Sequence, residues 1–188
     1  GEDAIIRRVS AISTGTTSGS TDSQGIFENS DDGAVIESCL VVNFGYMGIM
    51  ADRNSTVKNC TVYNNRSDAN NHSNVTGMNV SAYADIDNCV VFMNCTKAAA
   101  RAIQLSNGGG VTINDTISYG TATGDALDLS WGGGAPTQTN VSLSSTVGAS
   151  PVLEDPANGD FYPANPGLAY QTGNAANAPA GGDLNELP

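Results

Sequence analysis

Val57-Lys58-Asn59-Cys60-Thr61-Val62 sets out a short unit: a branched residue, a polar pair, a small apolar residue, a spacer and a second branched residue. The chain repeats it as Ile36-Glu37-Ser38-Cys39-Leu40-Val41, as Ile86-Asp87-Asn88-Cys89-Val90-Val91 and as Thr112-Ile113-Asn114-Asp115-Thr116-Ile117. A second signal alternates with it, a small residue followed by a large aliphatic. It reads Gly25-Ile26, Gly48-Ile49, Gly77-Met78, Ala102-Ile103 and Ala126-Leu127. The steps are uneven, about 21 to 30 residues, because loops of different length separate constant cores. Fixed short cores at such a period mark a stacked architecture, in which each repeat buries its apolar side against the next.

Each unit divides into three short strands, as in Gly48-Ile49-Met50-Ala51, Ser55-Thr56-Val57 and Cys60-Thr61-Val62. A tight polar turn separates the second from the third. Its last residue is Ser38, Asn59, Asn88, Asn114 or Asn140. Asn tolerates the left-handed backbone of a sharp bend. Stacked at about 4.8 Å, such side chains can bond along the column as a ladder. Inward positions then read as columns. One is Ile26, Ile49, Met78, Ile103, Leu127; another is Val9, Cys39, Cys60, Cys89, Asp115, Val141; a third is Ala11, Val41, Val62, Val91, Ile117, Leu143. Asp115 interrupts its column, through either a one-residue slip or a carboxylate bonded inside a loosened coil.

The 188 residues suit one domain, or one domain with a tail. Only 14% are charged and 6% aromatic, against 22 Gly. That composition fits short strands and turns rather than a helical bundle. The net charge of −12 repels nucleic acid and anionic lipid, so neither is expected as a partner. No apolar run approaches the ~20 residues that cross a bilayer. No basic-then-apolar leader opens the chain, and Gly1 in place of Met points to a trimmed form.

Of four cysteines, Cys39, Cys60 and Cys89 share one slot of the repeat, whereas Cys95 lies outside it. With no Cys-x-x-Cys pair and one His, no metal site is expected. The slot reads as small core hydrophobes. Disulfides between adjacent coils remain conceivable at this level.

The Gly-Ile strand starts and Val-x-Asn-Cys-x-Val units resemble the right-handed parallel β-helix of the pectin-lyase-like superfamily, over roughly residues 4–147. The resemblance implies an all-β, single-stranded parallel β-helix of about five to six coils over 1–147. Residues 148–188, which include Ser150-Pro151-Val152-Leu153-Glu154-Asp155-Pro156 and Gly159-Asp160-Phe161-Tyr162-Pro163, resemble the closing segment of β-helical surface proteins. They are expected to form an irregular C-terminal cap or arm over the last coil. The N-terminal end has no such segment, and strand-like Ala4-Ile5-Ile6 begins almost at once. It is expected to be covered by further residues, another subunit or a larger assembly.

In lyases of that superfamily the outward face of the Gly-Ile strand carries clustered carboxylates for calcium and an Arg or Lys base. Here those positions are Phe27, Met50, Asn79, Gln104 and Asp128. One carboxylate among five makes a poor calcium site. Arg101 with Asp125 and Asp128, and Lys97 nearby, is the best catalytic group the sequence assembles. Glycoside hydrolysis needs two carboxylates about 5–9.5 Å apart, which Asp125 and Asp128, or Glu28 with a neighbour, could supply. His72 and Asp68 lack a nucleophile-elbow Ser, and the two Gly triplets lack the Lys-Ser/Thr of a phosphate loop. Asn-x-Ser/Thr sequons, Asn54, Asn65, Asn71, Asn74, Asn79, Asn114 and Asn140 among them, read either as glycan acceptors or, as expected here, as the turn chemistry of the repeat. Phe27, Asn79, Gln104 and Trp131 are glycan-contact candidates, with Tyr46 and Tyr83 as further aromatic faces.

The expectation is therefore a non-catalytic module, extracellular or on a virion surface. It resembles tailspike-like and capsid-decoration proteins of phage particles and forms a trimer or joins a larger particle, with polysaccharide as a further contact and no cofactor. The alternative is a polysaccharide lyase or glycoside hydrolase, with calcium in the lyase case.

Overall fold

The computed structural model describes residues 4–13, 23–30, 32–64, 75–93, 100–119, 125–144, 153–155 and 160–163. Three parallel sheets are wound from strands that recur in strict order. Sheet A holds β1 (Ala4–Arg7), β4 (Ala34–Glu37), β7 (Thr56–Lys58), β10 (Asp85–Asp87), β13 (Thr112–Asn114) and β16 (Thr137–Thr139). Sheet B holds β2 (Ser10–Ile12), β5 (Leu40–Val42), β8 (Thr61–Asn64), β11 (Val90–Met93), β14 (Ile117–Tyr119) and β17 (Ser142–Ser144). Sheet C holds β3 (Gln24–Phe27), β6 (Met47–Ala51), β9 (Thr76–Val80), β12 (Arg101–Gly108) and β15 (Asp125–Gly133). Each strand pairs with its counterpart one coil away, so the chain is an all-β parallel solenoid. β18 (Leu153–Asp155) and β19 (Asp160–Pro163) form a separate antiparallel pair.

The repeat explains the stacking. Ile36, Val57, Ile86 and Ile113 are in register through sheet A and completely buried. Ile26, Ile49, Met78, Ile103 and Leu127 are in register through sheet C. Val41, Val62 and Val91 meet them from sheet B in one interior core. The glycine slot before each aliphatic is a place of close approach. A Cβ on Gly77 would lie 2.6 Å from the Ala102 carbonyl oxygen and 2.6 Å from a Val91 methyl.

The bend between sheets A and B is built by residues with positive φ: Arg8, Ser38, Asn59, Asn88, Asp115 and Asn140. From Arg8 to Asp115 their N–H groups bond onward to the next coil, as Asn59 N to Asp87 O at 3.0 Å and Asn88 N to Asn114 O at 3.1 Å. The side chains add a ladder in two rungs. Asn88 Nδ2 donates to Asn59 Oδ1 at 2.8 Å, and Asn140 Nδ2 donates to Asp115 Oδ1 at 3.0 Å.

Of the two readings of Asp115, the structure takes the one-residue slip, which moves Asn114 out of the bend and the ladder. Asp115, not Asn114, occupies the bend, with φ 46°. Asn114 pairs with Asp87 at the end of β13 and lies outside the ladder. Thr116 takes the slot of the cysteines, and Ser118 rather than Ile117 stands beside Val91. Matching Asn to Asn placed the bend too early, because Asp also tolerates the left-handed region. The slip puts Ile113 into the core and satisfies Ser118, whose hydroxyl donates to Ala126 O at 2.6 Å.

Candidate functional site

The outward row of sheet C runs Phe27, Met50, Asn79, Gln104, Asp128, in register across five strands. It changes along its length from an exposed aromatic to a buried polar network. Asn79 Nδ2 donates to Gln104 Oε1 at 2.9 Å, and Gln104 Nε2 donates to Asp128 Oδ2 at 3.0 Å. Arg101 Nε donates to the same carboxylate oxygen at 3.1 Å. Ser106 Oγ donates to Asn79 Oδ1 at 3.2 Å. Ser130 closes the far end, with its N–H on Asp128 Oδ1 at 2.9 Å and its hydroxyl on Oδ2 at 3.0 Å. Asn79, Gln104 and Asp128 are 3%, 2% and 6% exposed. Each amide and carboxylate is therefore committed to its neighbours.

That commitment fixes the electrostatics. Burial alone pushes the Asp128 carboxyl up. The Ser130 N–H and hydroxyl, Gln104 and the Arg101 guanidinium outweigh it and hold the group below its usual value. A general acid of a glycosidase needs the opposite shift. Arg101 already directs its Nε at that carboxylate, at 3.1 Å. Arg101 and Asp128 are thus brought together as an ion pair. The backbone of Asp125 pairs with Arg101, and its side chain lies outside the described residues. Lys97, Asp68, His72 and Cys95 also lie outside them.

Glu28 is a second buried carboxylate, at the end of the first strand of sheet C. It accepts from the Ser30 N–H and hydroxyl, from Asp52 N at 2.9 Å and from Ser55 Oγ at 2.9 Å. Burial opposes the charge, but the donors from Ser30, Asp52 and Ser55 win and lower the carboxyl. Glu28 ties one coil to the next and has no free oxygen for a substrate.

The glycan candidates are separated by the fold. Phe27 and Trp131 stay 49% and 46% exposed, whereas Asn79 and Gln104 are enclosed in the row. Phe27 and Trp131 stand on the first and last strands of sheet C, four strand spacings or about 19 Å apart. They cannot form one stacking platform. A recess of ≈ 220 Å³ beside Ile12, Gln24, Val42 and Phe44 is smaller than the ~300–1,000 Å³ of small-molecule sites. Among the described residues no group of three or more His, Cys, Asp or Glu converges to hold a metal ion. Among the described residues no helix is long and apolar enough to cross a membrane.

Sequence reading missed the outer face of sheet B. Val42, Tyr63, Phe92 and Tyr119 are in register there, outside the interior core. Tyr63 and Phe92 stack with centroids 5.3 Å apart, and Phe92 and Tyr119 lie at 6.3 Å. With Leu40 and Ile117 they form a second buried cluster. The signal was the residue after each inward valine, an apolar column that alternation alone assigns to solvent. Sheet A differs: its outer face carries the alternating row Arg7, Glu37, Lys58, Asp87, in which Glu37 takes Arg7 at 2.7 Å and Lys58 at 3.6 Å.

Comparison with known proteins finds no family model, no curated protein and no solved structure that matches this chain.

Proposed function

We propose that this chain is a non-catalytic structural module of a surface, of the capsid-decoration or tailspike-like kind, outside the cell or on a virion. It docks on a larger assembly, associates as a homotrimer and meets polysaccharide, where it does so, through exposed aromatics. The pectin-lyase-like resemblance belongs to this same reading. The observation that carries it is the saturation of the sheet C row. Where lyases of that superfamily expose charge, Asn79, Gln104 and Asp128 are buried and bonded to one another. Docking is supported by where most of the exposed large apolar side chains fall. Ile5, Val9, Ile12 and Phe27 stand on the first coil and Leu129, Trp131 and Leu143 on the last strands, with Tyr83 between them.

The enzymatic alternative, a lyase using calcium or a glycoside hydrolase, draws support from the proximity of Arg101 to Asp128. It is weakened by the lowered carboxyl and by the bonds that tie Asn79, Gln104 and Asp128 to one another. Light scattering after size exclusion tests the proposal. Three times the chain mass is expected, and a monomer at working concentration contradicts the oligomeric reading.

A further inference from the structure

Three free thiols stand in one column inside the solenoid. Cys39, Cys60 and Cys89 are 0–1% exposed and are not joined by disulfides. They occupy equivalent places, since Thr61 N bonds Cys39 O, Val90 N bonds Cys60 O and Ile117 N bonds Cys89 O, each at 2.9 Å. Their side chains also point alike. Each sulfur lies 3.2–3.3 Å from the carbonyl two residues back and 3.5–3.8 Å from a carbonyl of the preceding coil. Identical surroundings in successive coils place the sulfurs one strand spacing apart, about 4.8 Å. Val9 precedes the row and Thr116 ends it, with the Thr116 hydroxyl engaged by Asn114 O at 2.7 Å.

This spacing discriminates between the possible fates of the thiols. A disulfide takes Cβ atoms about 3.5–4.5 Å apart, closer than in-register stacking gives. A zinc site needs four ligands around one point, which a straight row does not supply. A thiolate–metal bond to a d10 ion is about 2.3 Å, so an ion midway between two stacked sulfurs reaches both. Soft sulfur ligands select soft ions such as Cu(I).

We infer that the column binds one soft monovalent cation, Cu(I) or Ag(I), in linear two-sulfur coordination between Cys60 and a neighbouring cysteine. One thiol loses its proton to water and its sulfur bonds the ion. The second sulfur donates a lone pair as a neutral thiol. No electron is transferred, and the product is neutral, as a dry core requires. A second ion would need a straight metal–sulfur–metal arrangement at Cys60, which a sulfur already bonded to carbon does not form. Cys60 is therefore the shared ligand and the stoichiometry is one.

The test uses the full chain with Cys95→Ser, titrated with Ag(I) both after folding and before refolding from urea. Native mass spectrometry is expected to retain one ion per chain, with a higher Tm. Cys39→Val and Cys89→Val should each keep one ion, because Cys60 retains one partner. Cys60→Val should lose it while its circular dichroism is unchanged. No retained ion under either protocol, an ion retained by Cys60→Val, or retention only where Cys95 is present would overturn the inference. If Cys60→Val does not fold, X-ray absorption at the silver edge of the Cys95→Ser chain decides. Two sulfur neighbours are expected, and one sulfur or oxygen neighbours contradict the site.

Discussion

At the scale of single residues, the coils are tied by polar groups whose partners lie one coil away. Glu28 is the densest of these ties, with four donors on one carboxylate. Hydrogen bonds to a charged group count for more than neutral ones, so Glu28→Gln should cost about 2–3 kcal/mol of unfolding free energy in urea. The pH dependence follows from the direction of the shifts. Glu28 and Asp128 sit below their ordinary values of 4.5 and 3.8 in the folded state. Their stabilisation is full above those values and is lost as pH falls through the lower folded ones. Asp87 acts oppositely, because burial, then Asp115 and Asp85, raise its carboxyl. The net expectation is a stability that declines below about pH 4.5, with a shallower decline in Glu28→Gln. A decline of equal steepness in the variant would remove Glu28 from the account. Asn88 joins a left-handed backbone to a ladder bond. Asn88→Ala should therefore destabilise by about 1–2 kcal/mol more than Asn88→Gly, which keeps the backbone freedom.

At the scale of elements, the small residue second in each strand of sheet C is set by its neighbours in space. Gly77→Ala drives a methyl against backbone and a core valine, and should cost about 2–3 kcal/mol by chemical unfolding. Ala102→Gly, in the same slot one coil on, should cost about 1 kcal/mol, the entropy of a glycine. Equal effects would mean that the stack does not tighten where the glycines fall. The strands themselves were legible from Val57-Lys58-Asn59-Cys60-Thr61-Val62 and its relatives, because inward positions recur with fixed chemistry. The fourth unit was misread by one residue, since Asp115 replaces Asn at the bend and Thr116 replaces Cys. The outer faces were least legible. Alternation tells which side of a strand a residue takes, but not whether that side meets water. Tyr63 and Tyr119, on the outside of sheet B, are as buried as core residues. Asn79 and Gln104 look like ligand-binding amides in sequence, and the hydrogen bond that joins them is visible only in the structure.

At the scale of the whole molecule, stability is carried by contacts between adjacent coils, so the ends are the weakest part. The first coil exposes Ile5 at 61% and Ile12 at 53%, whereas Val57, Val62 and Ile86 in the middle are fully buried. Hydrogen exchange should accordingly be slowest in β7 to β12 and fastest in β1, β2, β16 and β17. Uniform protection would mean that the ends are braced as well as the centre. The functional claim belongs to this scale, because the sheet C row has spent its charge on holding coils together. The direct measurement is turnover of a panel of uronate polysaccharides with calcium, followed by the ultraviolet absorbance of unsaturated product. The predicted result is no product from the wild-type chain and no change with Arg101→Ala. Product that the wild-type chain forms and Arg101→Ala abolishes would contradict the account and make the Arg101–Asp128 pair an active site.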